Sequence, residues 1–403
     1  MASILNHNLL ITMAKMTILF FPFNLLSHYL RCLVLADRYD PDVYQIYFIS
    51  SAEYDEFVLK QGYQVFRAKQ FNASEVMRCS RRFDFSWLNP ADLEEVMLDQ
   101  VRAIRELNAD VVIGDMAPSL KMAAEITGTH HISLLNAYMT KHYQFTRKIS
   151  RSHKAYLFLR NFPAPIEEWF TRLGEIIAFK RIQRGFNAIR TKYGLTKISD
   201  YLAEMEGNET FVCDSTTLFP LKPLPSSYRV IGPLIYNAAP MDDNQLEEAI
   251  AGRPVFCICM GSTGDWESIR FLNDPFYAKY AIVVTGDTNH VLSAPHIVSF
   301  PFVNLDQVLQ KCKLMICHGG NGTIYSGIKN RVFMLCLPSH FEQEWNISAL
   351  ERIGFGKSAV DYSEETWKNE IGNYAESVPA QAMQPLETAI VFPDEHLNLL
   401  PLS

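Results

Sequence analysis

The stretch Leu314-Met-Ile-Cys-His-Gly-Gly-Asn-Gly-Thr-Ile-Tyr-Ser-Gly-Ile-Lys329 decides how this chain is read. Its apolar start, Leu314 to Cys317, predicts a buried parallel strand, and Ile324 to Lys329 predicts a helix. Between them lies His318-Gly-Gly-Asn-Gly-Thr323. A strand that passes through glycines into a helix start is a physical anion trap. Glycines let the backbone approach a ligand closely, the first-turn N–H groups lack an internal partner, and the helix dipole adds positive potential. His318 and Thr323 add side-chain donors at the edges of the loop. From the loop alone, a plain turn capped by Thr323 stays open.

The next apolar run, Val332 to Leu337, leads into Pro338-Ser-His-Phe-Glu-Gln-Glu-Trp-Asn346. Glu342 and Gln343 therefore follow a strand end directly, where an open α/β sheet has its ligand crevice. An anion cradle one strand away from a carboxylate and a carboxamide suits a sugar carried on a diphosphate, because sugar hydroxyls need acceptors and mixed donors.

Working outward, apolar runs alternate with helix-like stretches, the signature of parallel sheets wound by helices. Met16 to Pro22, Tyr44 to Ile49, Asp110 to Ile113 and His131 to Leu135 read as strands; Ala91 to Leu107 and Ser119 to Thr127 carry helical spacing. From Arg151 to Gly194 an amphipathic helix bears Trp169, Phe170, Phe179 and Phe186, a stripe expected in a core or pocket wall. Val230 to Ile235 and the small, acidic stretch after it mark a boundary, and Pro254 to Ser262 restarts with a strand ending in glycine. At 403 residues the chain is long enough for two cores. The expected division is 1–235, a linker 236–253, a second domain 254–376 and a short tail 377–403.

Composition excludes several classes. A net charge of -7 without a basic run gives no footprint for nucleic acid. Eight cysteines without a CxxC pair or zinc spacing point to core thiols in a reducing, cytoplasmic setting. The apolar stretch Leu9 to Leu26 is interrupted by Lys15 and reads as an extension plus a first strand rather than a membrane span. Asp40-Pro-Asp42 has the spacing of a metal-binding pair but reads as a solvated turn, so no metal is expected.

The His-x-Gly loop and the Pro, three residues, Glu-Gln, two residues, Asn pattern resemble the family-one (UDP-glycosyltransferase-like) glycosyltransferases, including plant and bacterial natural-product enzymes. The likeness runs over nearly the whole chain and is densest from Val255 to Gly356. It implies the GT-B fold: α/β, two Rossmann-like domains with parallel sheets facing across a cleft. It also implies inverting, metal-independent transfer of a hexose from a UDP- or dTDP-linked donor to a hydroxyl of a hydrophobic small molecule, with the nucleotide sugar as co-substrate and no cofactor.

The resemblance further implies roles for particular residues. His28, after Ser27 where the family carries glycine, takes the place of the catalytic base, and Asp115 that of its partner carboxylate; read from residues alone, Asp115 also fits an N-cap near Pro118. Gly261, Ser262 and Thr263 are expected on the phosphate side of the donor. His318, Gly319, Gly320, Gly322 and Thr323 form the diphosphate cradle, with His318 donating to phosphate oxygens. Phe302 and Val303 lie against the base, and Glu342 and Gln343 hold sugar hydroxyls. Phe85, Trp87, Tyr138 and Trp169 are the expected acceptor walls. His130, His131, His142 and His153 are expected to be structural or solvent-facing.

The proline-broken tail is shorter than the family's closing helices, which predicts looser domain closure or completion by a second copy or partner chain. Other readings are weighed beside transfer to a small molecule: a catalytically silent homologue that activates a partner, a nucleotide-sugar 2-epimerase, and a membrane-surface transferase using lipid acceptors, which the aromatic helices fit but for which the sequence shows no clear basic amphipathic face.

Overall fold

The computed structural model describes residues 14–287 and 289–376; the expected N-terminal extension, up to residue 13, and the tail lie outside them. Two wholly parallel sheets carry the chain. The first has seven strands, β1 (Met16–Pro22), β2 (Tyr44–Ile49), β3 (Gln64–Phe66), β4 (Val111–Asp115), β5 (His130–Leu135), β6 (Glu209–Val212) and β7 (Tyr228–Val230), in the order β3-β2-β1-β4-β5-β6-β7. The second has six, β8 (Val255–Cys259), β9 (Ala281–Thr285), β10 (Ile297–Phe300), β11 (Leu314–Cys317), β12 (Phe333–Cys336) and β13 (Gly356–Ser358), in the order β10-β9-β8-β11-β12-β13. Together with the structural neighbours described below, this is the GT-B architecture.

The near-continuous apolar runs read from the sequence are the central strands. β4, β9, β11 and β12 are buried along their whole length, as expected for strands covered by helices on both faces. Strand order reverses between β1 and β4 in one sheet and between β8 and β11 in the other. At such a reversal the connections leave in opposite directions, and a crevice opens beyond the carboxyl ends of the two strands. β3 and β7, three residues each at the sheet edges, are too short to carry a legible alternation.

The long helix Ala164–Lys192 departs from the expected buried stripe. Phe186 is fully buried and Phe179 packs against Tyr201, but Trp169 is 60% exposed and Phe170 is 37% exposed. The helix buries one face near its end and leaves an apolar face in solvent near its start.

Contacts also cross between the two halves. The Trp345 indole donates to the Lys148 carbonyl (2.7 Å), Arg352 to the Leu218 carbonyl (2.8 Å), and Tyr138 and Phe219 share a core with Trp345 and Ile347. The Tyr325 hydroxyl accepts from the Ser215 amide (2.8 Å) and donates to Asp214 (3.0 Å). Removing that hydroxyl leaves a buried amide and a carboxyl oxygen each short of a partner. Tyr325→Phe should therefore lower unfolding free energy by about 1–3 kcal/mol in urea titration.

Candidate functional site

The reversal in the first sheet holds a pair of ionisable groups. Asp115 is the last residue of β4, with no exposed surface, and the helix Leu26–Ala36 starts just after β1. His28 and Arg31, three apart on that helix, share a face and both reach Asp115. The His28 Nδ1 lies 3.1 Å from Asp115 Oδ1. The Arg31 guanidinium grips both carboxylate oxygens, Nε donating to Oδ2 at 2.8 Å and Nη2 to Oδ1. Burial by itself would raise the Asp115 carboxyl, but Arg31 first and His28 second outweigh it and hold the group at about 2. Asp115 is thus an anion, and the alternative N-cap role falls to no one: the helix Leu120–Thr127 begins at Ser119, whose side chain makes no cap bond.

Arg31 extends the pair into a chain. Its Nη1 donates to Asn136 Oδ1 (2.9 Å), Asn136 Nδ2 donates to Asp214 Oδ2 (3.2 Å), and Asp214 Oδ1 accepts from Asn321 Nδ2 (2.8 Å). Asn321 is the first residue of the helix Asn321–Lys329 in the other half. Burial pushes Asp214 up to about 6, with Asn321, the Ala137 amide, Tyr325 and Arg31 pulling the other way. None of Arg31, Asn136, Asp214 or Tyr325 was singled out in the sequence. A lone arginine in the apolar run Leu26-Ser-His-Tyr-Leu-Arg-Cys-Leu-Val-Leu-Ala36 was the available signal for the first.

The reversal in the second sheet holds the glycine loops. Gly261 follows β8 with φ +56, and Gly319 follows β11 with φ +84, both in the left-handed region that favours glycine. The His318 ring sits between Gly261 and Gly320, and a Cβ on either would overlap it. Its Nδ1 is 3.2 Å from the Cys259 carbonyl. A carbonyl only accepts, so Nδ1 carries the hydrogen. Burial pulls the ring down to about 4, against the smaller upward pull of the Cys259 bond. The ring is therefore neutral near pH 7 with Nε2 an acceptor, so it donates to phosphate only after gaining a proton, a correction to the expected donor role. Ser262 and Gly322 are exposed at the loop edges, and Thr323 is partly buried with its hydroxyl 3.9 Å from Cys259 Sγ.

The remaining expected residues divide. Gln343 is buried: Oε1 accepts from the Ser339 amide (2.7 Å) and hydroxyl (3.1 Å), and Nε2 donates to the Thr263 hydroxyl (3.0 Å). It braces the loop Gly261–Gly264 instead of facing a crevice. Glu342 accepts a hydrogen bond from Tyr138 across the halves, so this fully buried tyrosine is a strut and not an acceptor wall. Phe302 stacks edge-on against Phe57 (5.4 Å) and tilts toward Tyr236 (6.2 Å), and Val303 packs against the neighbouring core. Phe85 lies beside Phe341, and Trp87 meets Phe23 (6.0 Å), which in turn meets His28 (5.7 Å). Trp169 stands in solvent away from these contacts.

No family model matches the chain. It is 22% identical over 347 residues to the PGL/p-HBAD biosynthesis glycosyltransferase of Mycobacterium tuberculosis, covering 82% of this chain and 77% of that one. CalG4, the calicheamicin glycosyltransferase, superposes with a TM-score of 0.63 over 91% of both chains at 14% identity. The chain is thus similar in sequence to mycobacterial glycosyltransferases and shares the GT-B fold of its structural neighbours. The spinosyn rhamnosyltransferase SpnG, in a structure complexed with thymidine diphosphate, gives 0.57 over 90% of this chain and 92% of that one at 14% identity. An inactive PGL/p-HBAD biosynthesis glycosyltransferase of Mycobacterium bovis is 23% identical over 252 residues, 59% of this chain and 64% of that one.

Two buried groups here carry opposite acid responses. His318, lowered from 6.5 to about 4, binds fewer protons folded than unfolded, so its contribution is lost as pH falls through that window. Asp214, raised from 3.8 to about 6, binds more, so the folded state gains as pH falls from about 6 toward 4. Relative to the parent, His318→Gln should gain stability and Asp214→Asn should lose it on acidification across these windows. Urea midpoints at a series of pH values measure both.

Proposed function

We propose that the chain is an inverting glycosyltransferase that moves a hexose from a dTDP- or UDP-linked donor to a hydroxyl of a hydrophobic small molecule. The first sheet would hold the acceptor and the second the donor. The observation that carries this reading is the pairing of two strand-order reversals, one presenting His28 and Asp115 and the other presenting the glycine cradle. SpnG, a neighbour of the same fold, is described with thymidine diphosphate, which favours dTDP in this reading.

In the proposed reaction Asp115 fixes His28 with its proton on Nδ1, leaving Nε2 to take the proton of the acceptor hydroxyl. The acceptor oxygen bonds to the anomeric carbon from the side opposite the diphosphate. The bond from that carbon to the phosphate oxygen breaks, and its electron pair leaves with the nucleoside diphosphate. The first-turn amides of Asn321–Lys329 meet the departing charge, work that a metal performs in other transferases. Because neutral His318 offers Nε2 as an acceptor, contact with a phosphate oxygen brings a proton onto the ring.

The acceptor's end has a place beside His28. A small half-open crevice is lined by Phe21, Phe23, Asn24, Gln70, Phe71 and Met116, among others. Met116, directly after Asp115, is held at φ +52, the kind of backbone strain that collects at functional sites. Gln70 Nε2 donates to the Ser50 carbonyl (2.9 Å) and the Tyr29 hydroxyl (3.0 Å), which fixes the amide's orientation and leaves Oε1 buried without a partner. Asn24 Oδ1 is in the same state. Two acceptor oxygens in an apolar crevice suit an apolar ring or chain end that carries a second hydroxyl. A silent homologue is the second reading, favoured by Gln343, whose amide is turned to Ser339 and Thr263; it predicts nucleotide binding without turnover.

Three measurements test this. His28→Ala should cut transfer by about 10²–10⁴-fold while thermal stabilisation by dTDP or UDP persists; equal turnover would remove His28 as the base. Affinity for the nucleoside diphosphate, read by calorimetry between pH 7.5 and 6, should tighten with falling pH in the parent relative to His318→Asn, a comparison that removes the terminal phosphate's own titration at about 6. Gln70→Leu should raise the acceptor KM with little change in that of the donor, as competition between a monohydroxy and a dihydroxy acceptor would show.

A further inference from the structure

The start of the helix Ala164–Lys192 carries an apolar face that nothing among the described residues covers. Ile166, Trp169, Phe170, Leu173, Ile176 and Ile177 are exposed by 43, 60, 37, 42, 52 and 60%. At 100° per residue they fall within one 120° sector of the helix, spanning roughly 16 Å along its axis. Leu157 and Phe158, from the short helix Tyr156–Leu159 just before it, are 63% and 61% exposed. These eight are half of the sixteen large apolar side chains exposed among the described residues. Single exposed apolar residues are ordinary, but a continuous face of this size marks a contact surface.

Charge indicates what the face contacts. The segment 151–192 holds nine Lys and Arg and three Glu, a net +6 in a chain whose total is -7. Arg151, Arg190 and Lys192 are engaged with Asp361, Glu204 and Glu94. Lys180, Arg181 and Arg184 are exposed and fall in or beside the same angular sector as the apolar residues, one to two turns further along. Lys154 and Arg160 are exposed at the other end. The stripe is thus basic, apolar, then basic. Long basic side chains flanking a Trp- and Phe-rich face reach lipid phosphates while the apolar face sits in the acyl boundary. A protein partner would need acid on both sides of an apolar core. An anionic bilayer supplies that everywhere.

We propose that this face docks the protein on an anionic membrane surface. No helix among the described residues is long and apolar enough to cross a membrane, so the contact is peripheral. The chain leading into the face touches the opening between the sheets: the Ser150 hydroxyl and Arg151 amide both donate to Glu344 at 3.1 Å, next to the Lys148–Trp345 bond. Docking therefore brings the cleft to the lipid surface, where a hydrophobic acceptor is concentrated. The sequence alone showed the aromatics but not that they share the solvent side with the basic residues.

The test is sedimentation of the full chain with vesicles of phosphatidylcholine alone and with roughly one-third phosphatidylglycerol, with tryptophan emission read in parallel. Binding to the anionic vesicles, weakened by high salt and accompanied by a blue shift, is expected. Trp169→Glu with Ile177→Glu, and separately Lys180→Ala with Arg181→Ala and Arg184→Ala, should each weaken it about tenfold or more while the melting temperature stays near that of the parent, since all five sites are exposed. Binding that is equal in the apolar variant, or absent with both vesicles, overturns the proposal. So does a dimer in light scattering that dissolves on Trp169→Glu, which would make a second copy the occupant. Because the readout needs no turnover, failure here leaves the transferase reading standing, and a failed transferase assay leaves this proposal standing.

Discussion

The structure depends on keeping one carboxylate charged with no water around it. Asp115 ends a buried strand at the reversal of the first sheet, and its desolvation would cost several kcal/mol if it stood alone. Arg31 supplies two hydrogen bonds and a full positive charge, and His28 supplies a third contact. With Arg31 committed to Asp115, its remaining nitrogen reaches Asn136, and from there buried bonds run through Asp214 to Asn321. The neutralisation of one acid thereby sets the orientation of the proposed base and ties the first sheet to the helix start that faces the proposed diphosphate.

That tie gives the halves a defined relation. Tyr138 to Glu342, Trp345 to Lys148 and Asp214 to Asn321 and Tyr325 all cross between them. Most of these groups are buried, so each bond lost in opening would need a replacement partner. Glu342 is the exception: it is half-buried, and its Oε1 accepts from the Tyr138 hydroxyl while the carboxylate keeps room for further donors. In the proposed reading a sugar hydroxyl bonded to this acid would share it with the tyrosine that ties the halves, so sugar binding and the spacing of the halves would bear on one side chain.

Much of the fold was legible because parallel central strands announce themselves as unbroken apolar runs. Met16–Pro22, Tyr44–Ile49 and Leu314–Cys317 needed only their residue types, whereas β3 and β7 at the edges are too brief to show a pattern. Glycine loops were legible for the same local reason: a strand, a left-handed turn and a helix start are neighbours in sequence. The polar chain was not. Arg31, Asn136, Asp214 and Asn321 come from four separate elements, and only the folded topology brings them together. Gln343 shows the limit from the other side, since a motif identified the residue and its neighbours in space, Ser339 and Thr263, decided what it does. Trp169 failed for a simpler reason: helical spacing says which residues share a face but not whether that face is inside.

The His318 ring, held between Gly261 and Gly320, has a consequence for how this sequence can change. The imidazole fills the gap that two missing side chains leave, so it acts as the spacer between the turn after β8 and the turn after β11. A larger residue at either glycine has nowhere to go while the ring is present, and a smaller residue in place of the ring leaves the turns without their separator. The three positions, fifty-nine residues apart at their extremes, are in that sense one inherited character. Loss of the histidine would release Gly320, whose φ of -65 suits any residue, but Gly261 would stay bound by its own left-handed φ of +56.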